Sequence, residues 1–141
     1  MGIELEGRRM DLPSGAELYV KAARYEETEE FLGAFLEAVE GLPSPDGANE
    51  TYARTFAEVA TSRFLTKPRL KAAMWKCLLH CIWKKGDIVE KVTPSLFDGR
   101  ADRLDAAQIF YACAIENFEP FLKGLWNVSK SLQSQLNGIQ K

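Results

Sequence analysis

The sequence is poor in the residues that catalysis and metal binding most often use. It holds one histidine and three cysteines among 141 residues. No nucleophile-elbow, phosphate-loop or dinucleotide-binding motif occurs in it. Three cysteines are an odd number and too few for a disulfide scaffold. These absences predict a protein that is not an enzyme and that uses no cofactor.

Long apolar runs are missing as well. No stretch approaches the roughly 20 residues that a membrane-spanning helix needs. The first residues, MGIELEGRRMDLP, contain no apolar segment of the kind found in signal peptides. Together with the few cysteines, this predicts a cytoplasmic protein that makes no contact with membranes.

Charge is close to balanced in total but is distributed unevenly. Residues 1–62 contain 5 Lys or Arg and 13 Asp or Glu, whereas residues 63–91 contain 8 and 2. Residues 92–141 contain 5 of each. Either the acidic first part covers the basic middle within the fold, or the two parts face different partners.

The apolar pattern is helical along most of the chain. No hairpin dipeptide is recognised between alternating runs, so the pattern predicts no strands. We expect an all-α fold, a compact bundle of about six helices, with a flexible tail at residues 1–13 and a single helical domain at 14–141. Ser14 and Glu17 match a capping box, although residues 14–41 fit one helix or two. The segment 41–49 is predicted as a loop and 67–85 as a helix that ends before Gly86.

The stretch MWKCLLHCIWKK, residues 74–85, concentrates the residues that resemble a reactive site. On a helical wheel Cys77 and Cys81 fall on an apolar face, and His80 lies about 60–100° away from them. Lysines one turn before and one turn after flank that histidine. Ligands that diverge in this way do not converge on a metal, so we predict no metal site and two buried cysteines.

Candidate partner-binding residues come from the basic residues of this predicted helix and from the last helix. Lys76, His80 and Lys84 occupy successive turns of the expected helix, and Arg69 lies near them. Trp126 falls off the apolar stripe of the last helix, and tryptophan is enriched at binding hot spots. These five residues are the predicted binding site, and the predicted partner is a protein with an acidic surface.

Three functions fit this pattern. The first is a non-catalytic protein–protein interaction module, either an adaptor or a subunit of an assembly. The second is nucleic-acid binding through the basic stretch 63–91. The third is an apolar small-ligand pocket lined by Met74, Phe110, Tyr111 and the tryptophans. The sequence leaves open the partner's identity, the oligomeric state, including a homo-oligomer, and the existence of an internal cavity.

Overall fold

A computed structural model gives the fold of the chain. It describes the backbone of residues 5–38 and 52–139. The side chains at positions 52, 125, 126 and 129–139 lie outside the described set, as does the predicted loop at 41–49.

Four short strands form one antiparallel sheet. They are β1 (Arg8–Asp11), β2 (Glu17–Val20), β3 (Ile82–Lys85) and β4 (Ile88–Lys91), and they lie in the order β1-β2-β3-β4. The fold is therefore α+β, and the prediction of an all-α bundle of about six helices is wrong. Residues 8–11, which the sequence analysis assigned to the tail, are the first strand of this sheet.

The first hairpin replaces the predicted helix start at Ser14. The N–H of Leu12 donates to the carbonyl of Ala16 over 2.8 Å, which closes a turn between β1 and β2. Gly15 has a φ of +93°, a conformation that glycine adopts without the penalty of a side chain. The hydroxyl of Ser14 donates to the buried carboxylate of Asp105 instead of capping a helix. Glu17, the other half of the expected capping box, begins β2.

The second hairpin explains the end of the predicted helix at 67–85. Lys85 pairs with Ile88 in the sheet, so Gly86 and Asp87 form a two-residue turn. Gly86 has a φ of +61°, and a glycine at the first turn position is a typical hairpin signal. The sequence thus does contain a hairpin dipeptide, which the helical interpretation of the flanking lysines obscured.

Five helices complete the described fold. They are α1 (Tyr25–Ala38), α2 (Tyr52–Arg63), α3 (Pro68–Leu78), the single turn α4 (Leu96–Gly99) and α5 (Ala106–Ile139). Pro68 begins α3 as expected, because the first helical position needs no backbone N–H. The last helix, α5, is 34 residues long and contains Pro120.

The core joins one face of the sheet to the long helices. Leu18, Val20 and Trp83 are buried on the strands. Between α1, α2 and α5 lies an aromatic cluster formed by Phe31, Phe35, Phe56 and Phe118. The ring centroids of Phe31 and Phe118 are 4.6 Å apart, a distance typical of packed aromatic pairs.

A second aromatic cluster includes part of the lining that the sequence suggested for an apolar ligand pocket. The ring of Phe110 packs against Phe64 at 4.9 Å and against Trp75 at 5.5 Å. Phe97 adds a further edge contact to Phe110, and Met74 is fully buried. These side chains are packed against each other, and Tyr111 is the member of the predicted lining that faces an open pocket.

Among the described helices, none combines the length and the apolar character that crossing a membrane requires.

Candidate functional site

The three cysteines are free and buried. Cys77 lies in the last turn of α3, Cys81 immediately precedes β3, and Cys113 lies on α5. Burial raises the pKa of Cys77 to about 12. The hydrogen bond with Cys81, together with burial, raises the pKa of Cys113 well above its ordinary value. Thiols that stay protonated are weak nucleophiles and weak metal ligands, so these two act as small apolar side chains.

Metal binding has no evident site in the part of the chain that the structure describes. No group of three or more His, Cys, Asp or Glu side chains within 5–38 and 52–139 is placed so that it could hold an ion. His80 instead lies in the turn between α3 and β3, and its Nε2 is 2.7 Å from Oε1 of Glu27.

The contact between α1 and α3 carries a set of three pairs that we call the ion-pair row: Glu27–His80, Glu30–Lys76 and Glu37–Arg69. The Lys76 Nζ lies 3.2 Å from Oε1 of Glu30. From pair to pair, the residue number rises along α1 and falls along α3, so the two helices run antiparallel. The acidic first part of the chain therefore pairs, within the fold, with two of the predicted partner-binding cations, Arg69 and Lys76, and with the imidazole of His80.

Glu27 is the most enclosed member of the row, with 18% of its side chain exposed. Burial by itself would raise the pKa of Glu27, but hydrogen bonds from His80 and from the Arg24 backbone N–H outweigh it and lower the pKa. Arg24 immediately precedes α1, so its bond to Glu27 three residues later also satisfies a free N–H at the helix start.

The remaining predicted site residues lie elsewhere. Lys84 is on β3, opposite Glu17 of β2, and so does not continue the α3 stripe. The prediction that Lys76, His80 and Lys84 form a stripe on one helix is wrong, because α3 ends at Leu78. Trp126 belongs to α5, and its side chain lies outside the described set. The five residues thus come from α3, the turn after it, β3 and α5, and not from one helix face.

A different cationic site, which we call the arginine pocket, opens between β1, α2 and α5. Its volume is about 420 Å³, and it is lined by Arg8, Arg9, Met10, Arg54, Gln108, Tyr111, Ala112 and Ile115. Arg8 and Arg54 come from two separate elements and line one open space. Arg9 follows Arg8 on β1, so its side chain lies on the opposite face of the strand, where it pairs with Asp11 and Glu17. The amide and the hydroxyl on α5 add hydrogen-bonding groups, and the remaining three side chains form an apolar wall.

Two of the three arginines are held by carboxylates. Nη2 of Arg8 lies 3.1 Å from Oε2 of Glu116, and Nη2 of Arg9 lies 2.9 Å from Oε1 of Glu17. The bond to Glu17 also raises the pKa of Arg9, so this guanidinium is charged at any ordinary pH. Arg54 makes no ion pair with another described residue. None of the carboxylates belongs to the lining of the pocket.

The arginine pocket could not be predicted from the sequence, because its lining comes from segments that are distant along the chain. Arg8 and Arg9 lay in the predicted tail, and Arg54 lay in the acidic first part of the chain, where its charge was outnumbered. The turn residues Pro13, Ser14 and Gly15 were the available signal for a hairpin that includes β1. Even so, nothing in the sequence connects that strand to α2 and α5, since their contact is decided by packing.

These assignments depend on the chemistry of this chain alone. No protein-family model matches the sequence, and no curated protein and no solved structure is significantly similar to it.

Proposed function

We propose that the protein is a non-catalytic interaction module, an adaptor or subunit of an assembly, that binds an acidic protein partner through the arginine pocket. The observation that carries the proposal is Arg54, which lines an open pocket together with Arg8 and has no described carboxylate partner. Arginine is the cation best suited to planar carboxylate and phosphate groups, because its donors form a fixed fork.

The basic stretch 63–91 supports nucleic-acid binding less well. Arg69 and Lys76 from that stretch pair with α1 carboxylates, so they present less free charge than the sequence suggests. Nucleic-acid binding draws its affinity from cations that neutralise phosphates, and paired cations must first be released. The cytoplasm remains the proposed location, because free buried thiols suit a reducing compartment.

A photo-crosslinking side chain introduced at Gln108, on the rim of the arginine pocket, tests this function in an extract of the cells that make the protein. We expect a discrete crosslinked protein that disappears when Arg54→Glu is added. The matched control is Lys71→Glu, the same charge reversal at an exposed residue of α3 outside the pocket. A crosslink that survives Arg54→Glu, or a product that nuclease treatment removes, would contradict the proposal.

A further inference from the structure

Strand β1 lies at one end of the sheet, so one of its edges has no neighbouring strand in the described part of the chain. In an antiparallel pair, residues that exchange backbone hydrogen bonds alternate with residues that do not. The N–H of Leu12 donates across the hairpin, so Met10 and Arg8 also direct their backbone groups toward β2. Arg9 lies between them and therefore directs its N–H and C=O to the open edge.

The arginine pocket runs along this open edge. Its lining includes three consecutive residues of β1, namely Arg8, Arg9 and Met10. Successive side chains of a strand point to opposite faces, so a cavity on one face alone would meet only every second residue. The side chain of Arg9 lies on the far face with Asp11 and Glu17, so the pocket meets Arg9 at its backbone. The pocket is therefore a groove between the edge of β1 and the helices α2 and α5.

The ion pairs of β1 hold its two arginine side chains away from the edge. Edge strands often carry charged side chains that keep another strand from pairing with them. Here Nη2 of Arg8 lies 3.1 Å from Oε2 of Glu116 on α5. Glu116 directly follows Ile115, the last lining residue of α5, so this pair lies at one end of the groove. The Arg9 guanidinium is held by Glu17 on the far face. The backbone edge between the two side chains is thus left open.

We propose that the arginine pocket binds an extended acidic segment of the partner, which adds to the sheet as a fifth strand beside β1. This inference rests on the proposed function, because it names the form in which the acidic partner binds. Backbone hydrogen bonds to an exposed sheet edge supply affinity in this binding mode, and alternate side chains supply specificity. The outward N–H and C=O of Arg9 are the groups that pair with the added strand.

The lining of the groove selects the side chains of such a strand. Residues of the added strand opposite Arg8 and Met10 point into the pocket, because directly opposed residues share a face of the sheet. There they meet Arg54, which has no ion pair with another described residue. They also meet the apolar wall that Met10 forms with Ala112 and Ile115, and no carboxylate belongs to the lining. The segment that fits best therefore has an acidic and an apolar residue two positions apart.

Two capped peptides of identical composition test the inference by titration of the full chain. The first carries glutamate and valine two positions apart in a run of threonines, so both can face the pocket. The second carries them side by side, on opposite faces of the strand. We expect the first to bind about tenfold more tightly, the effect of roughly one charged hydrogen bond. Arg54→Gln should remove this preference, whereas Lys71→Gln, at an exposed cation of α3 outside the pocket, should retain it.

Backbone amide exchange distinguishes strand addition from binding through side chains alone. The outward amide of Arg9 should exchange quickly in the free protein and should become protected when the first peptide binds. The amide of Val89 is the matched control at the opposite edge of the sheet. The N–H of Val92 donates to the carbonyl of Cys81, so by the same alternation Val89 points away from β3. Its exchange should not change when the peptide binds.

The outcomes separate the inference from the proposed function. Binding of the first peptide without protection of the Arg9 amide would overturn strand addition and leave an acidic partner in place. Equal affinity for the two peptides, or binding of neither, would also overturn strand addition, while the crosslink at Gln108 tests the partner function separately. Protection of Arg9 that rises with protein concentration in the absence of peptide, together with the mass of a dimer, would identify a second copy as the occupant and overturn both proposals.

Discussion

The ion-pair row and the arginine pocket are both cationic, but they use their cations differently. In the row, Arg69 and Lys76 of α3 and His80 of the following turn each meet a carboxylate of α1. In the pocket, cations from β1 and α2 border a common open space. Exposure does not distinguish the two regions, since the side chain of Arg69 is 67% exposed and that of Arg8 is 59% exposed. The comparison teaches that the arrangement of partners, and not the number of basic residues, separates a structural surface from a candidate binding surface.

Charge reversal in the pocket should give the largest effect. We expect Arg54→Glu to weaken binding of an acidic peptide by roughly 10- to 100-fold, about 1.4–2.8 kcal/mol. The reason is that it removes the cation without a described partner and places a negative group in the pocket. The melting temperature should stay nearly unchanged, because Arg54 is exposed and has no described ion pair. Titration measures the loss of binding, and thermal melting of the same preparation measures stability. A large drop in melting temperature would contradict the expectation that Arg54 serves binding and not folding.

Removal of the most enclosed carboxylate in the row should give the next effect, and it should act on stability. We expect Glu27→Ala to lower the free energy of unfolding by about 1–2 kcal/mol, because hydrogen bonds from His80 and Arg24 are lost together. Glu37→Ala is the matched control, since that carboxylate is 63% exposed and should cost less than about 0.5 kcal/mol. Urea unfolding measures the free energy of unfolding of both variants. Equal losses would show that burial does not decide how much each pair of the row contributes to stability.

The same carboxylate predicts how stability depends on pH. Because the pKa of Glu27 is lower in the folded protein, its contribution is present above the unfolded pKa and is lost as pH falls through the folded one. We expect Glu27→Gln to be less sensitive to acid than the parent between about pH 5 and pH 3, the region around and below the ordinary glutamate pKa. Unfolding at a series of pH values tests this, and parallel curves for the two proteins would contradict it.

The smallest effect should come from an exposed pair in the row. We expect Lys76→Glu to destabilise by about 0.3–1 kcal/mol, because it sets two carboxylates against each other on α1 and α3. Adding Glu30→Lys should restore the attraction and most of the lost stability. Both effects should shrink in about 1 M salt, where screening acts within a few ångströms. A double variant no more stable than Lys76→Glu would show that this pair contributes nothing.

Burial on the helices could be predicted from the sequence. Leu70, Met74 and Cys77 form the apolar face of α3, and all three are fully buried as the periodicity indicated. The same pattern failed from Leu79 onward, where the backbone leaves the helix and Trp83 is buried on β3 instead. Strands β3 and β4 have four residues each and are too short to show a clear alternation of apolar and polar residues. The pair Lys84 and Lys85 before Gly86 is also typical of the polar C-terminal end of a helix.

The sequence by itself determined the uneven distribution of charge and the buried face of α3 up to Leu78, because these depend on composition or on residues within a few turns of each other. Only the tertiary structure decided the sheet, since β2 and β3 pair across more than sixty intervening residues. It also decided which cations are paired: α1 packs against α3 and supplies the carboxylates of the ion-pair row, while β1, α2 and α5 meet and leave Arg54 facing the arginine pocket. A charge acts through its neighbours in space, and the packing of distant elements sets those neighbours.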